Sequence, residues 1–312
     1  MRIAVFGAGG VGGYFGGRLA QAGEPVVFIA RGAHLAALRE RGLRVDSVAG
    51  DFTLSPPVEA TDDPASAGTV DAVLVCVKAW QVPEAARALV PMLRDDSFVV
   101  PLENGVEAAD QLGAQVGAAR VLGGLCRIVS FVAGPGHIRH AGALPRVEFG
   151  ERDGRPSPRV GLLRAAFERC AGVSVGTPPD IEEALWEKFL FIAPFSAVAA
   201  LTRLPAGVVR GVPETRRLLE DAIREVLAVA RRRGVALPDE AVARTLAYVD
   251  GLPEDATASM QRDILEGRRS ELDAQTGTIV RLGREMGVSV PVSEFLYACL
   301  LPLELLARGR AG

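Results

Sequence analysis

The sequence has little of what marks a secreted, metal-bound or nucleic-acid-binding protein. Cysteine is scarce, with four in 312 residues. Cys76, Cys126, Cys170 and Cys299 are too scattered for a disulfide framework and read as buried thiols of a reducing compartment. Of the three histidines, His137 and His140 lie close together but have no third ligand at metal spacing, so no metal is expected. Basic residues are not in excess: 35 Lys and Arg face 38 Asp and Glu, for a net charge of −3. That leaves no electrostatic footprint for nucleic acid. The longest apolar run, Phe189 to Leu201, contains Pro194 and Ser196 and falls short of the roughly 18 residues of a membrane span. There is no internal repeat, no low-complexity tract, no visible cleavable signal and no Gly-x-Ser-x-Gly elbow. What remains, 49% hydrophobic and 23% charged, suits a globular enzyme long enough for two cores. A cytoplasmic protein with no membrane partner is the expectation.

What the sequence does have begins at its first residues. Arg2 to Phe6 is an apolar run of strand type, stopped by Gly7. Gly7, Ala8, Gly9, Gly10, Val11 and Gly12 then fit G-x-G-x-x-G, and a helix follows from Tyr14. Gly7 permits the tight turn, Gly9 lets a pyrophosphate approach the backbone, and Gly12 lets the helix pack on the strand. The helix start offers N–H groups and a positive dipole end to phosphates. An NAD site usually places an acid at the end of the second strand, about 20 residues on. Here the chain reads Ile29-Ala30-Arg31-Gly32. A guanidinium can pair with a 2′-phosphate that a carboxylate would repel, so Arg31 argues for NADP over a mere solvated loop arginine.

The first half alternates strands and helices, which predicts a mostly parallel, doubly wound sheet. Ala72 to Val77 is a continuous apolar run, as a strand buried on both faces requires. Strand-like stretches at 121–132, 137–140 and 146–149 are read as antiparallel additions to that sheet. Thr177-Pro178-Pro179-Asp180 marks the domain boundary, and helices are predicted from there on. The expected architecture is therefore α/β: a Rossmann-type NADP-binding domain over 1–178, then an all-helical substrate domain over 179–312, with the active site between them.

Ligands of such a sheet gather beyond the carboxyl ends of its strands. Lys78 and Asn104 stand at two such ends, the first open to reading as a rim lysine and the second as a turn or cap residue. Lys188 falls on a helical stripe with Ile181, Leu185, Ile192 and Phe195. A lysine desolvated in that way can donate a proton near neutral pH; snorkelling at a domain edge is the alternative. Glu271, in Ser270-Glu271-Leu272-Asp273, resembles the start of a capping box and would lie in a first helical turn, where an acid is favoured for stability alone. Ser259 reads as an ordinary helix residue.

Taken together, the glycine loop, Val77-Lys78-Ala79-Trp80-Gln81, Glu103-Asn104-Gly105, Leu185-Trp186-Glu187-Lys188 and Ser259-Met260 through Glu271-Leu272-Asp273 resemble the ketopantoate reductase (2-dehydropantoate 2-reductase) family. The resemblance runs along nearly the whole chain. It implies NADPH reducing a small 2-oxo acid in pantothenate biosynthesis, with a homodimer left open. It assigns Lys188 as the proton donor to the carbonyl oxygen and Glu271 as the carboxylate that binds the substrate hydroxyl. Asn104 and Ser259 match positions that orient the nicotinamide end and hold the substrate, and Lys78 and Arg31 match cofactor-side residues. The chain departs from the family pattern where asparagines often follow the catalytic lysine by four and eight residues. Ile192 and Ser196 stand there, and of the two Ser196 keeps a group that can bind substrate. Ketopantoate to pantoate is the leading reaction that the resemblance implies, and the departure favours its nearest rival, a paralogue acting on a different 2-oxo acid. A non-catalytic NADP(H) sensor is a further alternative, disfavoured by retention of a proton donor.

Overall fold

The computed structural model describes residues 1–309 and divides into two compact units. The first holds Met1–Glu103 and Glu107–Ile181; the second holds Asn104–Val106 and the chain from Glu182 onward.

In the first unit, β1 (Ile3–Phe6) runs into α1 (Gly10–Gln21), β2 (Val26–Ile29) and α2 (Gly32–Arg41). Then come β3 (Leu43–Ser47), β4 (Phe52–Leu54), β5 (Ala60–Thr61), β6 (Val70–Val75) and α3 (Val82–Ala88). The strand β7 (Leu93–Pro101) and helix α4 (Ala108–Val116) complete the alternating part. Five of these strands form a parallel sheet in the order β5-β2-β1-β6-β7. This is the doubly wound pattern expected from the sequence. Its central strands are apolar on both faces because helices cover both.

The stretches expected to extend that sheet do something else. The strands β8 (Gly123–Gly134) and β9 (His137–Gly150) form a long antiparallel pair, and β9 joins a second sheet in the order β10-β9-β3-β4. Here α5 (Pro158–Glu168) precedes β10 (Ser174–Gly176), and β9 lies parallel to both β3 and β10. His137 and His140 serve this second sheet. His137 Nε2 lies 2.8 Å from Asp46 Oδ2, and His140 Nδ1 lies 2.8 Å from Ser47 Oγ.

Helix α1 is squeezed between the two sheets. A Cβ on Gly12 or Gly16 would meet Val5 of the first sheet, and one on Gly13 or Gly17 would meet Ile138 or Leu43 of the second. Small residues on two faces let one helix serve both sheets at close range.

The second unit is helical: α6 (Ile181–Thr202), α7 (Ala206–Gly211), α8 (Pro213–Arg232), α9 (Ala241–Asp250), α10 (Ser259–Leu265), α11 (Thr276–Met286) and α12 (Pro291–Gly309). Helix α6 has the length and apolarity of a membrane span, longer than its apolar run suggested. Yet 72% of its most apolar window is buried inside the protein, as in a core helix. Burial runs around the whole helix, through Trp186, Phe189, Leu190 and Phe195, so Lys188 does not interrupt a single stripe. Among the cysteines, Cys126 and Cys170 are buried, Cys76 is half-buried, and Cys299 is exposed, against expectation.

Candidate functional site

The glycine loop follows the mechanics its sequence implies. Gly7 turns at φ +99°, and a Cβ there would lie 2.9 Å from the Cys76 carbonyl oxygen. A Cβ on Gly12 would be only 2.0 Å from the Gly7 carbonyl oxygen. Gly9, by contrast, has nothing within 4 Å of where its Cβ would be. It precedes the first turn of α1 and supplies no side-chain cap to it. Open space over uncapped helix amides is what a pyrophosphate requires. The residues present therefore fit a dinucleotide.

Arg31 lies two residues beyond β2 and occupies the N-cap position of α2. Its side chain is 64% exposed, and its Nη2 donates to Glu84 Oε1 at 2.8 Å. That hydrogen bond, with the guanidinium charge behind it, holds the Glu84 carboxyl below its ordinary range. Glu84 gave no signal in the sequence, since a partner 53 residues away leaves no local pattern. Lys78 lies three residues beyond β6, with its Nζ 5.7 Å from the centroid of the Trp80 ring. Behind the loop, His34 on α2 is partly buried; its Nδ1 accepts the Gly136 N–H at 3.1 Å. Burial pulls the His34 pKa down, and the neighbouring Ala8 backbone opposes this only in part.

The remaining candidates fall in the helical unit. Asn104 lies just past β7, in a turn where Gly105 adopts φ +118° and packs against the Ala274 carbonyl. The Asn104 Nδ2 donates to Glu271 Oε2 at 3.2 Å. Two candidates separated by 167 residues thus come together. Glu271 is 4% exposed and Lys188 9% exposed, both low for ionisable residues. Ser259 opens α10 and is half-buried. Ser196 is fully buried, with no hydrogen-bond partner for its hydroxyl among the described residues, and Ile192 packs at the edge of the helical core.

Glu271 does not sit in a first helical turn. Helix α11 starts at Thr276, and Glu271 lies in a preceding turn closed by Gln275 N–H to the Glu271 carbonyl at 2.9 Å. The expected capping box does not form at α11, which starts six residues after Ser270; the Ser270 hydroxyl donates to Glu304 Oε2 at 2.6 Å and accepts the Leu272 N–H at 3.3 Å. Asp273 accepts from Tyr297 OH at 2.7 Å and pairs with Arg308. Burial would push the Asp273 carboxyl up, but these two hydrogen bonds overcome it and hold the carboxyl below its ordinary range. The Tyr297 phenol is pushed up to about 12 by burial and by Asp273. Sequence reading missed Tyr297, Glu304 and Arg308. The signal available was their spacing of seven and four residues on one predicted helix.

Comparison with known proteins supplies the family. Residues 3–154 match the family described as "Ketopantoate reductase PanE/ApbA", and residues 180–304 match "Ketopantoate reductase PanE/ApbA C terminal". The "2-dehydropantoate 2-reductase" of Halobacterium salinarum is 33% identical, over 94% of this chain and 95% of its own length. The "Uncharacterized oxidoreductase YkpB" of Bacillus subtilis is 31% identical, over 96% and 98%. Among solved structures, a PanE/ApbA family ketopantoate reductase from Ralstonia eutropha JMP134 superposes with a TM-score of 0.89 at 34% identity, covering 99% of this chain and 100% of that one. Fold, glycine loop and relatives together define an oxidoreductase that acts on a CH–OH group with a nicotinamide cofactor. The chain belongs to the ketopantoate reductase family.

Proposed function

We propose that this protein reduces 2-dehydropantoate to pantoate with NADPH in the cytoplasm. The observation that carries the reading is the Asn104–Glu271 hydrogen bond, which gathers polar groups from distant parts of the chain in the unit that also buries Lys188. Gly7 to Gly12 would hold the pyrophosphate, Arg31 the 2′-phosphate, and Lys78 the cofactor side of the site. An exposed arginine at the start of α2 supports the choice of NADP, because its ion pair with Glu84 is a surface pair worth about 0–1 kcal/mol that a phosphate can replace. Bound NADPH supplies a hydride to the keto carbon. Lys188 gives the carbonyl oxygen a proton, completing the hydroxyl of the product. Glu271 accepts a hydrogen bond from the substrate hydroxyl, while Asn104 and Ser259 orient the substrate. Four unbridged cysteines support the cytoplasmic assignment.

A second reading, reduction of a different 2-oxo acid, is favoured by Ile192. One turn beyond Lys188, Ile192 offers methyl groups where a hydroxylated substrate would need a hydrogen bond. The discriminating assay follows NADPH oxidation against a panel of 2-oxo acids. The first reading expects kcat/KM to be highest for ketopantoate. A better 2-oxo acid without the hydroxyl would establish the second, and no turnover of any would defeat both.

A further inference from the structure

The turn that carries Glu271 lacks the regular hydrogen-bond ladder that fixes a helical residue, yet its ends are held. At one end, the Ser270 N–H and hydroxyl both donate to Glu304 Oε2, at 2.9 and 2.6 Å. Ser270 and Glu304 are 2% and 1% exposed. At the other end, Asp273 receives the Tyr297 hydroxyl and the Arg308 guanidinium. Arg308 Nε also donates to Glu304 Oε1 at 2.9 Å, which closes the circuit. Tyr297, Glu304 and Arg308 lie at i, i+7 and i+11 on α12, a single face. Gly277 makes room for the tyrosine, since a Cβ there would sit 3.0 Å from Tyr297 Cε2.

We propose that this face of α12 is a clamp that positions Glu271 for the substrate, making Tyr297, Glu304 and Arg308 positioning residues for the reaction. The proposal rests on the reading of Glu271 as a substrate contact. The charge-assisted bonds to Ser270 are buried and costly to break, and Asp273, though partly exposed, is held by two directed bonds at once, so both ends are fixed. Glu271 is one residue from the first and two from the second. Its carboxylate is thereby held where Asn104 also reaches it. The raised Tyr297 phenol and the lowered Asp273 carboxyl keep donor and acceptor in their bonding forms through neutral pH.

The test is a double-mutant cycle on KM for the 2-oxo acid. Tyr297→Phe keeps the ring and removes one hydrogen bond, so KM should rise about 3- to 10-fold with NADPH affinity unchanged. Arg308→Ala should raise KM about 10- to 100-fold, with part of the loss recovered in Arg308→Lys. In a Glu271→Gln background, Tyr297→Phe should add nothing further to KM. An equal effect of Tyr297→Phe in both backgrounds would overturn the clamp and leave these contacts as anchors of α12 alone. If Glu271→Gln itself leaves KM at the wild-type value, the reading of Glu271 is what fails, and the clamp falls with it. Should Arg308→Ala not fold, the Tyr297→Phe cycle decides the question alone.

Discussion

Two glycines three residues apart, Gly9 and Gly12, should separate folding from cofactor binding. A methyl on Gly12 would lie 2.0 Å from the Gly7 carbonyl oxygen and 2.8 Å from Val5 Cγ1. Carbon and oxygen need more than 3 Å, so the start of α1 or the loop must shift by over 1 Å, against a sheet on each side. Overpacking of this severity costs about 3 kcal/mol or more, so Gly12→Ala should lower the apo Tm by roughly 6–12 °C. Gly9 is the opposite case: φ is −70°, ψ −161°, and the space around its Cβ is open. Any side chain can adopt that backbone, so Gly9→Val should change folding stability by less than about 1 kcal/mol. The branched side chain would, however, fill the volume that a pyrophosphate needs, and NADPH affinity should fall about 10- to 100-fold. Scanning calorimetry of the apo proteins and fluorescence titration with NADPH measure the two effects separately. Normal NADPH binding by Gly9→Val would show that the pyrophosphate lies elsewhere. A wild-type Tm for Gly12→Ala would refute the packing argument.

Arg31→Ala removes a charge-assisted contact and should weaken NADPH binding about 10- to 100-fold while NADH binding hardly changes; equal losses in both titrations would acquit Arg31 of reading the 2′-phosphate. Lys188→Ala should lower turnover roughly 10²–10⁴-fold with NADPH affinity nearly intact, and a folded variant turning over at the normal rate would end its role as proton donor. His34 should make the fold acid-sensitive. Because its folded pKa lies below the unfolded value, its stabilisation is present above about pH 6.5 and is lost as pH falls through the folded value. Melting scans between pH 5 and 7.5 should therefore show a steeper acid decline for the wild type than for His34→Gln; parallel curves would assign the titration to another group.

The parallel sheet and the glycine turn were legible because their signals are local: an apolar run and a glycine spacing. The second sheet was not, because its defining contact pairs β3 with β9. Ser47 and His140 are 93 residues apart, and no periodicity in either segment names the other. Helix α7 lay hidden in a segment broken by Arg203, Pro205 and Gly211. Lys188, Asn104 and Glu271 could each be singled out from sequence, but only weakly, since a turn asparagine or a first-turn acid has an ordinary explanation. The proximity of Asn104 and Glu271 is a tertiary fact, seen in one hydrogen bond. Glu271 was placed on the wrong element because Ser270 has the chemistry of a helix cap. The same hydroxyl also donates to a buried acid 34 residues on, a partner that no local pattern reveals, and the helix begins only at Thr276.

Helix α1, gripped on two sides, has a consequence for how the first unit opens. A helix lying on one sheet can lift away while the rest stays folded. Here the body of α1, beyond its uncapped first turn, can lift away only when both sheets part from it, which amounts to losing the unit. The glycine turn proposed to bind phosphate therefore stands on a segment packed from two sides. Rigidity at that end needs no ligand to create it, so the loop proposed for the pyrophosphate is set by the fold itself.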